Sequence, residues 1–351
     1  MSRTHRIGIT GTGGLGMHLG RGIDETDGAE VAAVCDVSDE NRAGAGEAFD
    51  VPDAHRYEDH ETMLEDADLD GVAIATPHTL HYDQTVAALE RGIDTLCEKP
   101  LCTDVDHATE LVARAEAGET VLMVGYQRHL DPAFTTARDA IEARVGEPTY
   151  ITAEITQDWI SGQDGAWRSN PDLSGGGQLY DTGSHLLDVV LWTTGLTPAA
   201  VDAQMHFHDE AERVDTHAAL NVTFENGAVA SISVSGDTHR TQEHLHVWGE
   251  RGSLYVDSED WSPAELAFVD EDDDYYRPHL DRWNGGSKAE VFVDLVANGG
   301  TPPATARDAL AVTAVTEAAY ESARTGETVE LDLEGALERA SAHERELHTQ
   351  H

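Results

Sequence analysis

Lysine is almost missing from this chain. Of 22 basic residues in 351, only Lys99 and Lys288 are lysine, set against 67 acidic residues, for a formal net charge of -45. A surface so dense in carboxylates excludes nucleic acid and anionic membrane as partners, because both would repel it. No apolar run approaches the ~20 residues that cross a bilayer, and "MSRTHRIGIT" lacks the apolar core of a signal peptide. Cysteine is also scarce: Cys35, Cys97 and Cys102 are odd in number and show no CxxC or zinc-type spacing, which excludes a disulfide framework. A cytoplasmic protein with buried, reduced thiols is expected. There is no internal repeat and no linker, and the acidic run Asp270 to Asp274 is expected to be a solvated loop rather than a calcium site.

Self-repulsion on this scale would loosen a fold in dilute buffer. At molar salt the Debye length shrinks to about 3 Å and neighbouring carboxylates scarcely feel one another. The charge therefore points to a halophilic, salty cytoplasm, and the use of arginine for lysine agrees, since guanidinium is weakly hydrated and pairs bidentately with carboxylates.

At 37.9 kDa the chain exceeds what one core usually holds, so two domains are expected. Through residues 1–125, the apolar runs "RIGIT", "VAAVCDV", "GVAIATP", "DTLCEKP" and "TVLMVGY" are separated by stretches long enough for crossover helices. That rhythm predicts an α/β, doubly wound parallel sheet. Through 126–351 the texture changes to alternating strands such as "YITAEIT", "AVDAQMHFH", "AALNVTF" and "AVASISVSG", which predict a mainly antiparallel, open sheet. Helical patterns follow at about 287–297, 304–324 and 333–347.

The stretch "RIGITGTGGLGMHLGRGI" sets Gly11, Gly13 and Gly16 in GxGxxG register between a predicted strand and a predicted helix. The glycines permit a tight turn, close approach of a pyrophosphate, and helix-strand packing. Asp36 lies 20 residues beyond Gly16, at the end of the second strand, where a carboxylate accepts hydrogen bonds from ribose hydroxyls and repels a 2′-phosphate. NAD is the expected cofactor, with NADP the alternative if nearby Arg42 accommodates a phosphate. In "WRSNPDLSGGGQLYDTGSHLLDVVLW", Asp181, His185 and Asp188 follow at i, i+4 and i+7, one face of a helix. The expectation is that a carboxylate orients His185 as a proton acceptor. The plainer account of the same residues is a capping aspartate and a half-buried histidine. No HExxH or similar pairing appears, and no metal is expected.

The GxGxxG loop, Glu98-Lys99-Pro100 and the Gly-rich run into Asp181, Gly183, His185 and Asp188 together resemble the signature set of the glucose-fructose oxidoreductase, inositol dehydrogenase and rhizopine catabolism (Gfo/Idh/MocA) family. The resemblance runs from about residue 5 to about 330. It implies an N-terminal Rossmann domain, a C-terminal α/β domain whose open sheet builds a homodimer or homotetramer, and NAD(P)-linked oxidation of a sugar, polyol or inositol-like compound. It also implies that Lys99, Asp181 and His185 are catalytic; because a fixed cation stabilises a developing alkoxide, the expected roles are Lys99 polarising the substrate oxygen, Asp181 orienting His185, and His185 accepting the proton. Lys99 as the base itself is the variant of that scheme. Implied cofactor contacts come from Gly11, Gly13, Gly14, Leu15, Gly16, Asp36, Thr76, Pro77, His81, Glu98, Lys99, Arg128, Trp167 and Arg168. His78 and Gln127 stand where the family commonly has asparagine. The alternative functions are an NAD-dependent hydride-cycling glycosidase and a non-catalytic nucleotide-sensing regulator.

Overall fold

A computed structural model describes residues 4–163, 165–281 and 286–348; the outer ends of the two expected domains, 1–3 and 349–351, lie outside them. The first half alternates strand and helix: β1 (His5–Thr10), α1 (Gly14–Asp24), β2 (Ala29–Cys35), α2 (Asp39–Ala48), β3 (Arg56–Tyr57), α3 (His60–Asp66), β4 (Gly71–Ile74), α4 (His81–Glu90), β5 (Asp94–Cys97), α5 (Val105–Ala117) and β6 (Leu122–Val124). The strands form one parallel sheet in the order β3-β2-β1-β4-β5-β6. Strand order reverses between β1 and β4, which opens a crevice at their carboxyl ends. These strands are almost wholly apolar because helices cover both faces.

After α6 (Pro132–Arg144) come β7 (Pro148–Asp158), α7 (Pro171–Ser174), α8 (Ser184–Thr194), β8 (Pro198–Phe207), β9 (Asp215–Phe224), β10 (Val229–Ser235), β11 (Asp237–Gly249), β12 (Gly252–Glu259), β13 (Glu265–Asp270) and β14 (Tyr275–Tyr276). The chain closes with α9 (Lys288–Asn298), α10 (Ala306–Thr325), β15 (Val329–Glu330) and α11 (Leu333–His348). The second sheet has nine strands in the order β14-β13-β12-β11-β7-β10-β9-β8-β15. Its β7–β10 pair is parallel and its other pairs are antiparallel. Burial alternates along β9 and β10, as a sheet with one covered face requires. The run Asp270 to Asp274 is a hairpin turn in which the Asp270 carboxylate accepts from the N–H groups of Asp272 and Asp274, each at 3.0 Å.

One helix crosses the expected division at 125/126. Helix α9 returns to the first sheet, where Ala289, Phe292, Val293 and Leu295 join Ile7, Ile9, Leu19, Ile23, Val34 and Leu96 in one buried cluster. Its apolar stripe is the cover for a sheet face that the N-terminal half leaves open, a pairing that nothing in local periodicity reveals. Phe292 is 0% exposed there. Phe292→Ala is expected to lower unfolding free energy by about 3–5 kcal/mol, read by denaturant unfolding. A loss under about 1 kcal/mol would place α9 outside that core.

Candidate active site

The glycine loop is built for an anion. Gly11 adopts φ +83, and Cβ atoms at Gly11 and Gly16 would strike the Ala75 backbone at 2.8 Å and the Gly11 carbonyl oxygen at 1.8 Å. Those two glycines are needed by the protein itself. Gly13 and Gly14 differ, since a Cβ on either meets nothing within 4 Å, and no side chain caps the N-terminus of α1. Free N–H groups facing open space, with Leu15 half-buried behind them, fit the pyrophosphate of a dinucleotide. Asp36 closes the loop: its carboxylate accepts from the N–H groups of Thr12 and Ser38, each at 2.8 Å. Arg42 lies beside it, donating to the Asp36 carbonyl at 2.6 Å. Thr76 and Pro77 leave the carboxyl end of β4 next to Gly11, and Thr76 Oγ1 donates to Gln84 at 2.7 Å.

The centre of the site is a single carboxylate. Lys99, just beyond β5, donates from Nζ to Asp181 Oδ1 at 2.9 Å and to the Asp181 carbonyl at 2.8 Å. Trp159 Nε1 donates to Asp181 Oδ2 at 2.8 Å, and Arg168 Nε lies 3.0 Å from the same oxygen. Burial opposes ionisation of Asp181, but Lys99, Arg168 and His78 outweigh it and hold the carboxyl well below the usual carboxylate range. Asp181 sits in a wide, π-type turn, Leu179–Gly183, that feeds directly into α8. Asp215 anchors that turn by accepting from the N–H groups of Gly177 (3.1 Å) and Leu179 (3.0 Å) and from the Tyr320 hydroxyl. A Cβ at Gly177 would lie 2.1 Å from the Asp215 carbonyl oxygen, so the glycine run lets β9 touch the turn backbone. Burial pushes Asp215 up to about 6.

His185, on the first turn of α8, is buried with its ring edge-on to Tyr126 at 6.2 Å, and its Nδ1 has no hydrogen-bond partner among the described residues. Burial, then the positive charges of Lys99, Arg128 and Lys288, hold it well below an ordinary histidine value, against the opposing pull of Asp181. A neutral imidazole beside an ammonium can accept a proton as an alcohol oxygen gives one up.

One expectation is corrected. Asp181 does not orient His185, because its oxygens are taken by Lys99, Trp159 and Arg168; Asp188 does not either, since its Oδ1 lies 2.9 Å from Nε2 of His129. The two ring nitrogens of His81 face carbonyls, Nδ1 at 2.7 Å from that of Pro100 and Nε2 at 2.9 Å from that of Thr76, which ties β4 to the Glu98-Lys99-Pro100 turn. Arg128 is paired at 2.6 Å with Glu243 of β11, both side chains 7% exposed.

Glu98 is buried against Lys288, and Trp167 packs edge-on against His78 at 4.8 Å with Arg168 over its ring. His78 itself hydrogen-bonds through Nδ1 with the Ser174 carbonyl at 2.9 Å, and burial pushes it down to about 3. Gln127 is exposed. Sequence reasoning missed Trp159, His129 and Lys288 as members of this region. Only Lys288 carried a signal, as the second of two lysines.

Comparison with known proteins agrees with this architecture. Residues 5–126 match the model of an oxidoreductase family with an NAD-binding Rossmann fold, and 134–255 match the GFO/IDH/MocA C-terminal domain. The chain is 28% identical over 340 residues to D-xylose 1-dehydrogenase (NADP(+)) 2 of Haloferax volcanii, covering 93% of this chain and 99% of that protein. It is 27% identical over 348 residues to inositol 2-dehydrogenase 2 of Saccharopolyspora erythraea, covering 94% and 96%. Aldose-aldose oxidoreductase from Caulobacter crescentus shares the fold at a TM-score of 0.81 and 23% identity, covering 94% of this chain and 100% of that one. Two family models in register with the two sheets, and a glycine loop shaped for a dinucleotide, make this chain a member of the GFO/IDH/MocA family of NAD(P)-linked oxidoreductases.

Proposed function

We propose that this enzyme oxidises a secondary hydroxyl of a neutral sugar, polyol or inositol-like substrate, with Lys99 polarising the substrate oxygen and His185 accepting its proton. One observation carries the reading. A lysine ammonium has three N–H donors, and Lys99 directs two of them to the carboxylate and carbonyl of Asp181. The third remains for an alcohol oxygen, whose developing negative charge the ammonium stabilises. Lys99 is thus a fixed donor rather than the base, and the unpartnered, neutral His185 is the acceptor. When bound, the nicotinamide ring supplies the hydride acceptor. The relatives named for D-xylose and inositol support the substrate class.

For the cofactor we favour NAD over NADP, because the Asp36 carboxylate stands on the glycine loop. The Km ratio tests this, and a strong NADP preference would overturn it. Assembly as a homodimer or homotetramer is proposed through the open face of the nine-strand sheet, which exposes Tyr150 and Val229. No helix among the described residues is long and apolar enough to cross a membrane, and a cytoplasmic setting at high salt is proposed from the charge.

Lys99→Ala and His185→Ala are each expected to keep cofactor binding, read by NADH fluorescence, and to lose turnover by about 100-fold or more. Near-native turnover in either removes that residue from the scheme. The depressed His185 pKa has a defined sign: the acceptor stays unprotonated as pH falls, so kcat/KM should hold through about 6.5 and decline only below it. An acid limb centred at or above that value contradicts the assignment. Transfer from molar KCl to about 0.1 M salt should lower Tm, since screening of the -45 charge is lost; an unchanged Tm counts against salt adaptation.

A further inference from the structure

The two lysines of this chain serve one dipeptide. Lys99 reaches Asp181, and Lys288, the first residue of α9, reaches its neighbour Glu98, 190 positions away in sequence. Lys288 also donates to the Gly125 carbonyl at 3.3 Å. The Lys288 and Glu98 side chains are 10% and 3% exposed. Glu98 lies so close over the end of β6 that a Cβ at Gly125 would come within 2.5 Å of its Oε2. The same oxygen is 3.4 Å from the Lys99 backbone nitrogen.

Acids and ammoniums therefore alternate through the region in two pairs, Asp181 with Lys99 and Glu98 with Lys288. Removing one partner of a buried ion pair leaves the other charge uncompensated. The cation adjacent to Glu98 in sequence is Lys99, whose backbone nitrogen already lies 3.4 Å from Glu98 Oε2. Lys99 would then be divided between two carboxylates and drawn away from the position that Asp181 gives it. The charge at 288 also comes from the helix that covers the first sheet, so its place is fixed by packing rather than by a loop.

We propose that Lys288 is a positioning residue: by neutralising Glu98 it leaves the Lys99 ammonium committed to Asp181 and the substrate oxygen. The inference rests on the roles given above to Lys99 and His185.

Lys288→Met should lower kcat by about 100-fold, the loss expected when a reacting group is displaced by about 1 Å, with substrate KM and NADH affinity close to native. Lys288→Arg, which keeps the charge, should recover much of the loss. Glu98→Gln combined with Lys288→Met should recover it too, because the carboxylate that competes for Lys99 is then gone. Denaturant midpoints report folding for each variant, and if Lys288→Met does not fold, the double variant and Lys288→Arg carry the test. Native-like kcat in Lys288→Met overturns the proposal, as does a folded double variant no faster than Lys288→Met, or than about one hundredth of native where that single variant does not fold. The parent reading fails separately: if Lys99→Ala or His185→Ala keeps turnover, the assigned chemistry is wrong, whereas loss in those two with no loss in Lys288→Met sinks only the role of Lys288.

Discussion

The contact between Lys99 and Asp181 is the constraint around which the molecule is arranged. The two residues are 82 positions apart, one at the carboxyl edge of the parallel sheet and the other in the turn that starts α8. Each side chain is 11% exposed. A pair so removed from water holds only when its remaining donors and acceptors are met. Trp159, Arg168 and the Asp181 carbonyl meet them. The supports then radiate outward. His81 clamps the turn that bears Lys99, and Asp215 clamps the turn that bears Asp181. Without Lys99, Asp181 would keep Arg168 and Trp159 as its partners.

This local order runs against the overall charge. A molecule of net charge -45 repels a dinucleotide at a distance, so capture falls to short-range donors: the bare N-terminus of α1 and the cations gathered around the cleft. Lys99, Lys288, Arg128 and Arg168 all lie in that region, each facing a buried acid. Lys99 and Arg168 share Asp181, so two cations meet one carboxylate there. High salt would weaken the distant repulsion far more than these buried contacts.

What could be read in the sequence was what is local. The glycine loop, Asp36 and the Glu98-Lys99-Pro100 turn are encoded in short windows, and the two sheet types follow from continuous against alternating apolar patterns. Local reading stops at long-range partners. Spacing of i and i+4 assigned Asp181 to His185 on the assumption of a regular α-helix and an unclaimed carboxylate; the turn is of π type and its carboxylate is claimed from three other segments. Motif position likewise located Arg128 and His81 near the cleft but said nothing of Glu243, Thr76 or Pro100, which engage them. Lys288 and Trp159 are long-range partners, visible only once α9 is seen to cross back and β7 to end at the site.

The same distinction explains why a chain that has all but abandoned lysine keeps it at these two points. On the surface, where Arg114 spans Glu90 and Glu110 and Arg307 meets Glu116 with two nitrogens, a planar fork is the better device. In the cleft the acceptors diverge. Lys99 must reach a carboxylate and a carbonyl of one residue, and Lys288 a carboxylate from one strand end and a carbonyl from the next. A guanidinium keeps its five donors in one plane, whereas a tetrahedral ammonium can turn toward acceptors that share none. Lysine is thus absent where solvation decides and present where the direction of the N–H groups does.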